Sequence, residues 1–369
     1  MRLLRLAVTG FRNLAEADLE LGTPYVVFHG DNAQGKTNAL EAIHVLANLK
    51  ALRGRRSSEL VAWGGTTASV RGTVDRDGIE RTLRVDLSSR ARRIVRMDGQ
   101  VVRSLVDYFD GFRAVAFTPM DLRVVAGEPK FRRAWLDRAA FTAMPAHLSA
   151  VRRVKRCLAQ KAAALQHGPD SALLDALDDE LARAGASLVQ RRVQLLADLG
   201  PHVVAMYQRI ARTGVSVELT YKTQTIGVDV EQRFQTLRQR LSEVRDDEVR
   251  RRRTLAGPQR DDVGIFLGGR LARTFGSRGQ VRSLVLSLKL AEIASARDRG
   301  FVPPFLIDDV GSELDAGRMD EVVRVLAELG VQVFVTTTHP RHVASLPDAD
   351  TMWVRVEGGR LDPGAWNVG

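Results

Sequence analysis

The sequence predicts an α/β fold whose two halves lie at opposite ends of the chain, with a compact, mainly helical insertion between them. Three observations predict it. At residues 25–47 a short apolar strand runs into a glycine-rich loop and then a helix. Strand and helix signals alternate again after residue 255. Between about 130 and 253 the chain is rich in Ala, Leu, Arg, Glu and Gln at helical spacing. The expected domains are therefore 1–130 plus 254–369, and 131–253.

In order, the start alternates apolar and polar residues around "TGFRNL", as a hairpin does. "YVVFHG" is an apolar run ending in Gly and reads as a buried strand. The helix after it puts Leu40, Ile43 and Ala47 on one face. Residues 68–102 alternate again, with turns expected at Arg76-Asp77-Gly78 and Asp98-Gly99, an antiparallel β section. In the insertion, Leu173, Leu174, Leu177 and Leu181 fit one stripe, extended by Leu188, Val189 and Val193. Gly200-Pro201 and the strand-like "GVSVELTYKT" are expected to interrupt it, which argues for a compact arm over one long coiled coil. "FVPPFLIDD" reads as a strand, "RMDEVVRVLAEL" as a helix ended by Gly330, and "VQVFVTTTH" as another strand.

The 369 residues are 44% hydrophobic, enough for a sizeable core. A net charge of +11 favours a polyanionic partner, nucleic acid or an acidic membrane surface. A single cysteine, Cys157, cannot form an internal disulfide and fits a reducing compartment. The start is cut by Arg2, Arg5 and Arg12, unlike a signal peptide. No stretch approaches the roughly 18 apolar residues that span a membrane. The expectation is a cytoplasmic protein with no membrane partner.

Four segments carry chemistry. Gly30-x-x-x-x-Gly35-Lys36-Thr37 satisfies the P-loop pattern. Its loop, Gly30, Asp31, Asn32, Ala33, Gln34, Gly35, Lys36, Thr37 and Asn38, offers backbone N–H groups and a helix N-terminus to phosphates. Lys36 would reach the β/γ-phosphates of ATP and Thr37 would ligate Mg²⁺. Second, the run "PFLIDD" brings Asp308-Asp309 out at a strand's C-terminal end, where ligands sit in open α/β sheets. Asp308 would hold the metal through water and Asp309 would orient or deprotonate the attacking water. Taken alone, adjacent acids there are also ordinary turn residues. Third, Ser277-Arg278-Gly279-Gln280 opens a helix, an anion-binding end that is equally a plain N-cap. Fourth, His339 follows a strand end, where it can bond a phosphate oxygen or simply occupy a loop.

Together these segments resemble the ABC-type ATPase head: Walker A loop, signature motif, Walker B strand with its D-loop (Ser312–Asp315), and switch histidine. The wide separation of P-loop and signature resembles the split SMC and Rad50-like proteins. Within that group the chain is similar to the RecF family of bacterial recombination mediators. The matching segments are "GFRNL", "GDNAQGKTNALEAI", "LRGRRSSELVAWG", "AFTPMDLRVVAGEPKFRRAWLD", "LAGPQRDDVGIFL", "SRGQVRSLVLSLKLAE" and "LIDDVGSELD". The short insertion also fits that family and argues against the long-armed members. The chain departs from the family pattern at Arg278, where Gln is usual, at Met120 in place of Glu, and at Gln259 in place of His.

The resemblance implies a weak, DNA-dependent ATPase used as a switch. Ser277, Gly279 and Gln280 of one chain would cap the nucleotide held by Lys36 of another, so that ATP binding makes a homodimer. It further implies binding of double-stranded DNA at gap junctions, and RecO and RecR as partners in loading RecA. Candidate DNA contacts are Arg53, Arg55, Arg56 and the run Arg250, Arg251, Arg252, Arg253, with Arg133, Arg152 and Arg153 behind them. No aromatic set is interleaved with these arginines, which favours duplex backbone contact over base stacking. Three rivals are weaker. A transporter ATPase subunit keeps its motifs in one compact domain. A P-loop kinase does not need Ser277–Gln280. A clamp that never hydrolyses ATP does not need the Asp308-Asp309 pair.

Overall fold

The computed structural model describes residues 1–53, 57–168, 170–309 and 316–364. Contacts divide the chain into two units: Met1–Asp121 with Arg209–Ala211 and Arg282–Gly369, and Leu122–Gln208 with Arg212–Val281. The expected insertion, 131–253, falls in the second unit except for Arg209–Ala211; that unit also takes in 122–130 and 254–281.

In chain order the strands are β1 (Arg2–Thr9), β2 (Ala17–Glu20), β3 (Tyr25–His29), β4 (Thr67–Arg76), β5 (Ile79–Ser88), β6 (Ile94–Met97), β7 (Gln100–Val101), β8 (Val115–Phe117), β9 (Val217–Lys222), β10 (Asp262–Leu267), β11 (Arg270–Leu271), β12 (Phe305–Ile307), β13 (Val333–Thr337), β14 (Thr351–Glu357) and β15 (Arg360–Pro363). The first unit holds two sheets. One is antiparallel in the order β2-β1-β4-β5-β6-β7, with the expected turns joining β4 to β5 and β6 to β7. The other runs β15-β14-β3-β13-β12-β8 and is parallel except for its β14–β15 edge.

Every residue of β3, β12 and β13 is buried, as expected of parallel strands covered on both faces. The helix Lys36–Asn48 contacts β3 and β13 of one sheet and β4 and β5 of the other. That explains why it buries Leu40, Ile43 and Ala47, and Val45 and Leu46 as well. β12 is shorter than its apolar run, because Pro303 and Pro304 cannot donate to a ladder. The buried Gln332 side chain joins the sheets. Its Oε1 accepts from Leu3 N at 2.7 Å, and its Nε2 lies within hydrogen-bond reach of the carbonyls of Leu3, Leu21 and Thr23.

The second unit is mainly helical: Pro129–Ala143, His147–Gln166, Ser171–Ala211, Val230–Glu243 and Arg245–Arg251, with the sheet β11-β10-β9. Val154, Cys157, Leu181, Leu188, Phe234, Leu237 and Leu241 share one core cluster. Two expectations fail here. The helix Ser171–Ala211 runs unbroken through Gly200-Pro201. Pro201 is exposed, so water can serve the carbonyl it leaves unpaired, and the buried Leu199, Val203 and Tyr207 hold the turn on either side. Leu173 is 47% exposed and lies off the stripe that Leu174 and Leu181 form.

The pairing of β9 with β10 ties residues after 253 to the insertion. Charged groups do so as well. Arg132 forks onto the carboxylate of Asp262 at 2.7 and 3.0 Å, and Arg192 onto that of Asp137 at 2.9 and 2.8 Å. Tyr221 donates to Asp261 at 2.7 Å. The segments "KFRRAWLD" and "GPQRDD" are thus two sides of one buried polar network. Arg133 donates to the Asp261 carbonyl at 2.6 Å, which commits part of its guanidinium to the fold. Among the described residues no helix is long and apolar enough to cross a membrane.

Candidate nucleotide site

Three neighbouring parallel strands, β3, β13 and β12, end on the same edge of their sheet. After β3 comes the loop Gly30–Gly35, after β12 the acids Asp308 and Asp309, and at the end of β13 Thr336 and Thr337. The topology therefore assembles segments that are remote in sequence, at the place where open α/β sheets bind ligands.

Gly30 has a φ of +143°, and a Cβ there would lie 2.4 Å from the Val356 carbonyl oxygen, so no side chain fits. Asp31, Asn32 and Ala33 are exposed on the loop and Lys36 is largely buried at the helix start. Lys36 Nζ donates to the carbonyls of Gly30 at 2.8 Å and Asp31 at 2.6 Å. Burial lowers its pKa below the ordinary lysine value, opposed by Asp309, Asp31 and Asp308. Asn38 Nδ2 donates to Asn13 Oδ1 at 2.7 Å, and Gln34 is held by the backbone N–H groups of Gly358 and Gly359. The loop is thus braced from both chain ends.

Asp308 is fully buried. Its Oδ1 accepts from Thr37 Oγ1 at 2.8 Å and from Thr336 Oγ1 at 2.9 Å, and its Oδ2 takes Arg53 Nη2 at 2.5 Å. Thr37 and Asp308 present two adjacent hard oxygens. That fits Mg²⁺, which is usually bound through one or two protein oxygens with phosphates and water completing the shell. Asp309 follows with a φ of +57°, and its N–H donates to Thr336 Oγ1 at 2.8 Å.

His339 is exposed, and its Nδ1 accepts from Arg341 N at 3.2 Å. His342 lies behind it, its ring 6.0 Å away and its Nδ1 3.1 Å from Thr337 Oγ1. Burial, Arg341 and His339 lower the His342 pKa, with Asp309 opposing. His342, Thr336 and Asn13 were not among the sequence candidates. The hydroxyl run "TTTH" at the end of an apolar strand was the signal for Thr336.

In the second unit, Ser277 and Gln280 form a reciprocal capping box: Ser277 N donates to Gln280 Oε1 at 2.9 Å, and Gln280 N to Ser277 Oγ at 3.2 Å. Gly279 lies within the first turn of the helix Arg278–Asp298. Arg250, Arg251, Arg252 and Arg253 are all exposed, Arg250 pairing with Asp247. Arg55, Arg56 and the D-loop residues Ser312–Asp315 lie outside the described residues.

Comparison with known proteins places these features in a family context. A family model described as RecF/RecN/SMC N terminal domain matches residues 2–357. The DNA replication and repair protein RecF of Myxococcus xanthus strain DK1622 is 42% identical, over 98% of this chain and 97% of that protein. The RecF protein of Geobacter sp. strain M21 is 36% identical, over 98% of this chain and 100% of that protein. A solved structure of the recombination mediator protein RecF-ATP in the RecFOR pathway aligns with a TM-score of 0.89 at 27% identity, covering 98% of this chain and 99% of that one. A Smc head bound to the C-winged helix domain of ScpA aligns with a TM-score of 0.57 at 13% identity, covering 99% and 98%, a likeness of fold alone.

Proposed function

The chain belongs to the RecF/RecN/SMC N-terminal domain family, with RecF proteins among its full-length relatives, and from that premise we propose that it is a RecF-type ATPase of DNA replication and repair. One observation carries the reading: Thr37 of the P-loop helix and Asp308, directly after β12, meet at 2.8 Å at the C-terminal edge of the parallel sheet.

Bound ATP with Mg²⁺ supplies a hydrolysable γ-phosphate and its negative charge. The loop N–H groups of 30–38 wrap the phosphates, and Lys36 exchanges its two carbonyl partners for phosphate oxygens. Thr37 and Asp308 would hold the metal. Asp309 orients the attacking water and takes its proton, with His339 at the γ-phosphate side. Ser277, Gly279 and Gln280 close the site from a second copy of the chain: a capped helix start offers N–H groups and positive potential to an anion. The water breaks the bond between the γ-phosphorus and the bridging oxygen, giving ADP and inorganic phosphate; release of that phosphate removes the charge that bridges the two copies, and the dimer opens.

The exposed Arg250–Arg253 run supports duplex backbone contact, and we place Arg55 and Arg56 in the same role. Arg53, expected beside them, instead turns its guanidinium onto Asp308 in the nucleotide site. Binding is expected to be sequence-tolerant and steeply salt-dependent. The family role adds gap junctions as the DNA site, RecO and RecR as partners and RecA loading as the outcome. The test is molar mass by light scattering with and without ATP and Mg²⁺, for the wild type and Ser277→Arg. The wild type should double its mass with ATP and the variant should not. A wild type that stays monomeric sinks closure by a second copy, and DNA binding indifferent to nucleotide sinks the switch.

A further inference from the structure

The buried Asp308 carboxylate needs a balancing cation. Lys36 donates to the carbonyls of Gly30 and Asp31 and acts on Asp308 through space, without a bond to it among the described contacts. Thr37 and Thr336 bring only neutral hydroxyls to Oδ1. Among the described residues, the cation bonded to Asp308 is Arg53, whose Nη2 sits 2.5 Å from Oδ2. The pair is asymmetric: the Asp308 side chain is 0% exposed and that of Arg53 54%. The bond runs through one nitrogen and lacks the two-pronged grip that makes an arginine–carboxylate pair hard to open.

The pivot of this arginine is fixed. Glu41 Oε1 accepts from Leu52 N and Arg53 N, both at 2.9 Å. Arg12 bonds Glu41 Oε2 at 2.8 Å and the Arg53 carbonyl at 3.3 Å. Glu41 is buried on the helix that begins with Lys36 and Thr37. The Arg53 backbone is thus anchored to the P-loop helix, while its side chain reaches Asp308 from the solvent side.

We propose that Arg53 is a built-in stand-in for the metal ion at Asp308: guanidinium and Mg²⁺ exclude one another there, so metal–nucleotide binding and release of Arg53 are a single event. Two cations on one carboxylate repel strongly in a partly buried setting, which makes the exclusion mutual. Affinity for the metal is then reduced by the strength of the ion pair, and the carboxylate is never left buried without a counter-charge. The proposal rests on reading Asp308 as a metal ligand.

The test is binding of a fluorescent, non-hydrolysable probe, mant-ADP, titrated with Mg²⁺ and read by anisotropy, together with melting in EDTA. Arg53→Met should reach its Mg²⁺ midpoint at roughly threefold to tenfold lower concentration than the wild type. Its mant-ADP affinity in EDTA should be unchanged, and its melting temperature in EDTA should fall and be restored by Mg²⁺ alone. Arg53→Lys, which keeps the charge, should shift the midpoint in the same direction by less and serves where Arg53→Met does not fold. An unshifted midpoint in both variants overturns the proposal. So does weaker binding with and without Mg²⁺, which would make Arg53 a plain phosphate contact. Asp308→Asn separates the premise: wild-type binding without Mg²⁺ dependence, or a dependence that survives in Asp308→Asn, would remove Asp308 from the metal site altogether.

Discussion

Thr37 and Asp308, 271 positions apart in the sequence, are joined by one 2.8 Å hydrogen bond in which the hydroxyl donates to a fully buried carboxylate. Thr37→Val keeps the shape and removes the oxygen. Mg²⁺-supported phosphate release should fall at least roughly tenfold, while unfolding free energy changes by no more than about 1–3 kcal/mol, the scale of one buried hydrogen bond. Full turnover in that variant would exclude Thr37 as a metal ligand.

Gly359 lies far from the phosphate loop in sequence but touches it, directly through its N–H on the Gln34 carbonyl and indirectly through Asn13. Its φ is +85°, and a Cβ there would come 1.9 Å from the Asn13 carbonyl oxygen. Asn13 in turn meets Asn38 and the Gln34 carbonyl. Gly359→Ala should therefore weaken nucleotide binding by about tenfold or more and lower the melting temperature. Gly78→Ala is the control. It has a similar φ of +82° and nothing within 4 Å, so it should cost about 1 kcal/mol and leave nucleotide affinity alone.

Burial would raise the Asp137 carboxyl, but hydrogen bonds from His147 and Arg192 outweigh it and hold the pKa well below the usual carboxylate range. A carboxylate depressed in the folded state contributes stability that is complete above its unfolded pKa, near about 4, and is lost as pH falls toward the folded value. Asp137→Asn should be less stable at pH 7 and should show a shallower further loss below about pH 4. Urea titrations at several pH values measure this, and parallel curves would show that Asp137 does not carry the acid sensitivity.

Pro201 sits inside the helix Ser171–Ala211 on an exposed turn. A proline in a helix interior costs about 3 kcal/mol, partly offset by stiffening of the unfolded chain. Pro201→Ala should stabilise the protein by roughly 1–2 kcal/mol in chemical denaturation. A destabilised variant would mean that a kink at this position is required by the packing around it.

The elements that were legible in the sequence are those whose signal is local. The P-loop pattern, the apolar run before Asp308 and the turns at Asp77-Gly78 and Asp98-Gly99 depend on neighbouring residues, and they form as read. Strand order has no local signal: nothing in "VQVFVTTTH" says that it lies between β3 and β12. Gln332 looks like an ordinary surface residue until β1 is laid beside it. Pro201 misleads for the converse reason, since tertiary packing overrides a propensity that only neighbours express. The Arg53–Asp308 pair was illegible because an arginine beside other arginines reads as a solvated face.

The sheet order β3-β13-β12-β8 sets two late strands between two early ones, and this bears on how the protein is made. When β3 and β8 leave the ribosome, the strands that lie between them do not yet exist. At roughly 5–20 residues per second, more than about 10 s pass before β13 can be inserted. Both early strands must wait with open edges, which are hazards for aggregation. A nascent fragment that stops before Asp308 cannot assemble the Thr37–Asp308 contact, so a translation product truncated there would carry the P-loop without a completed nucleotide site.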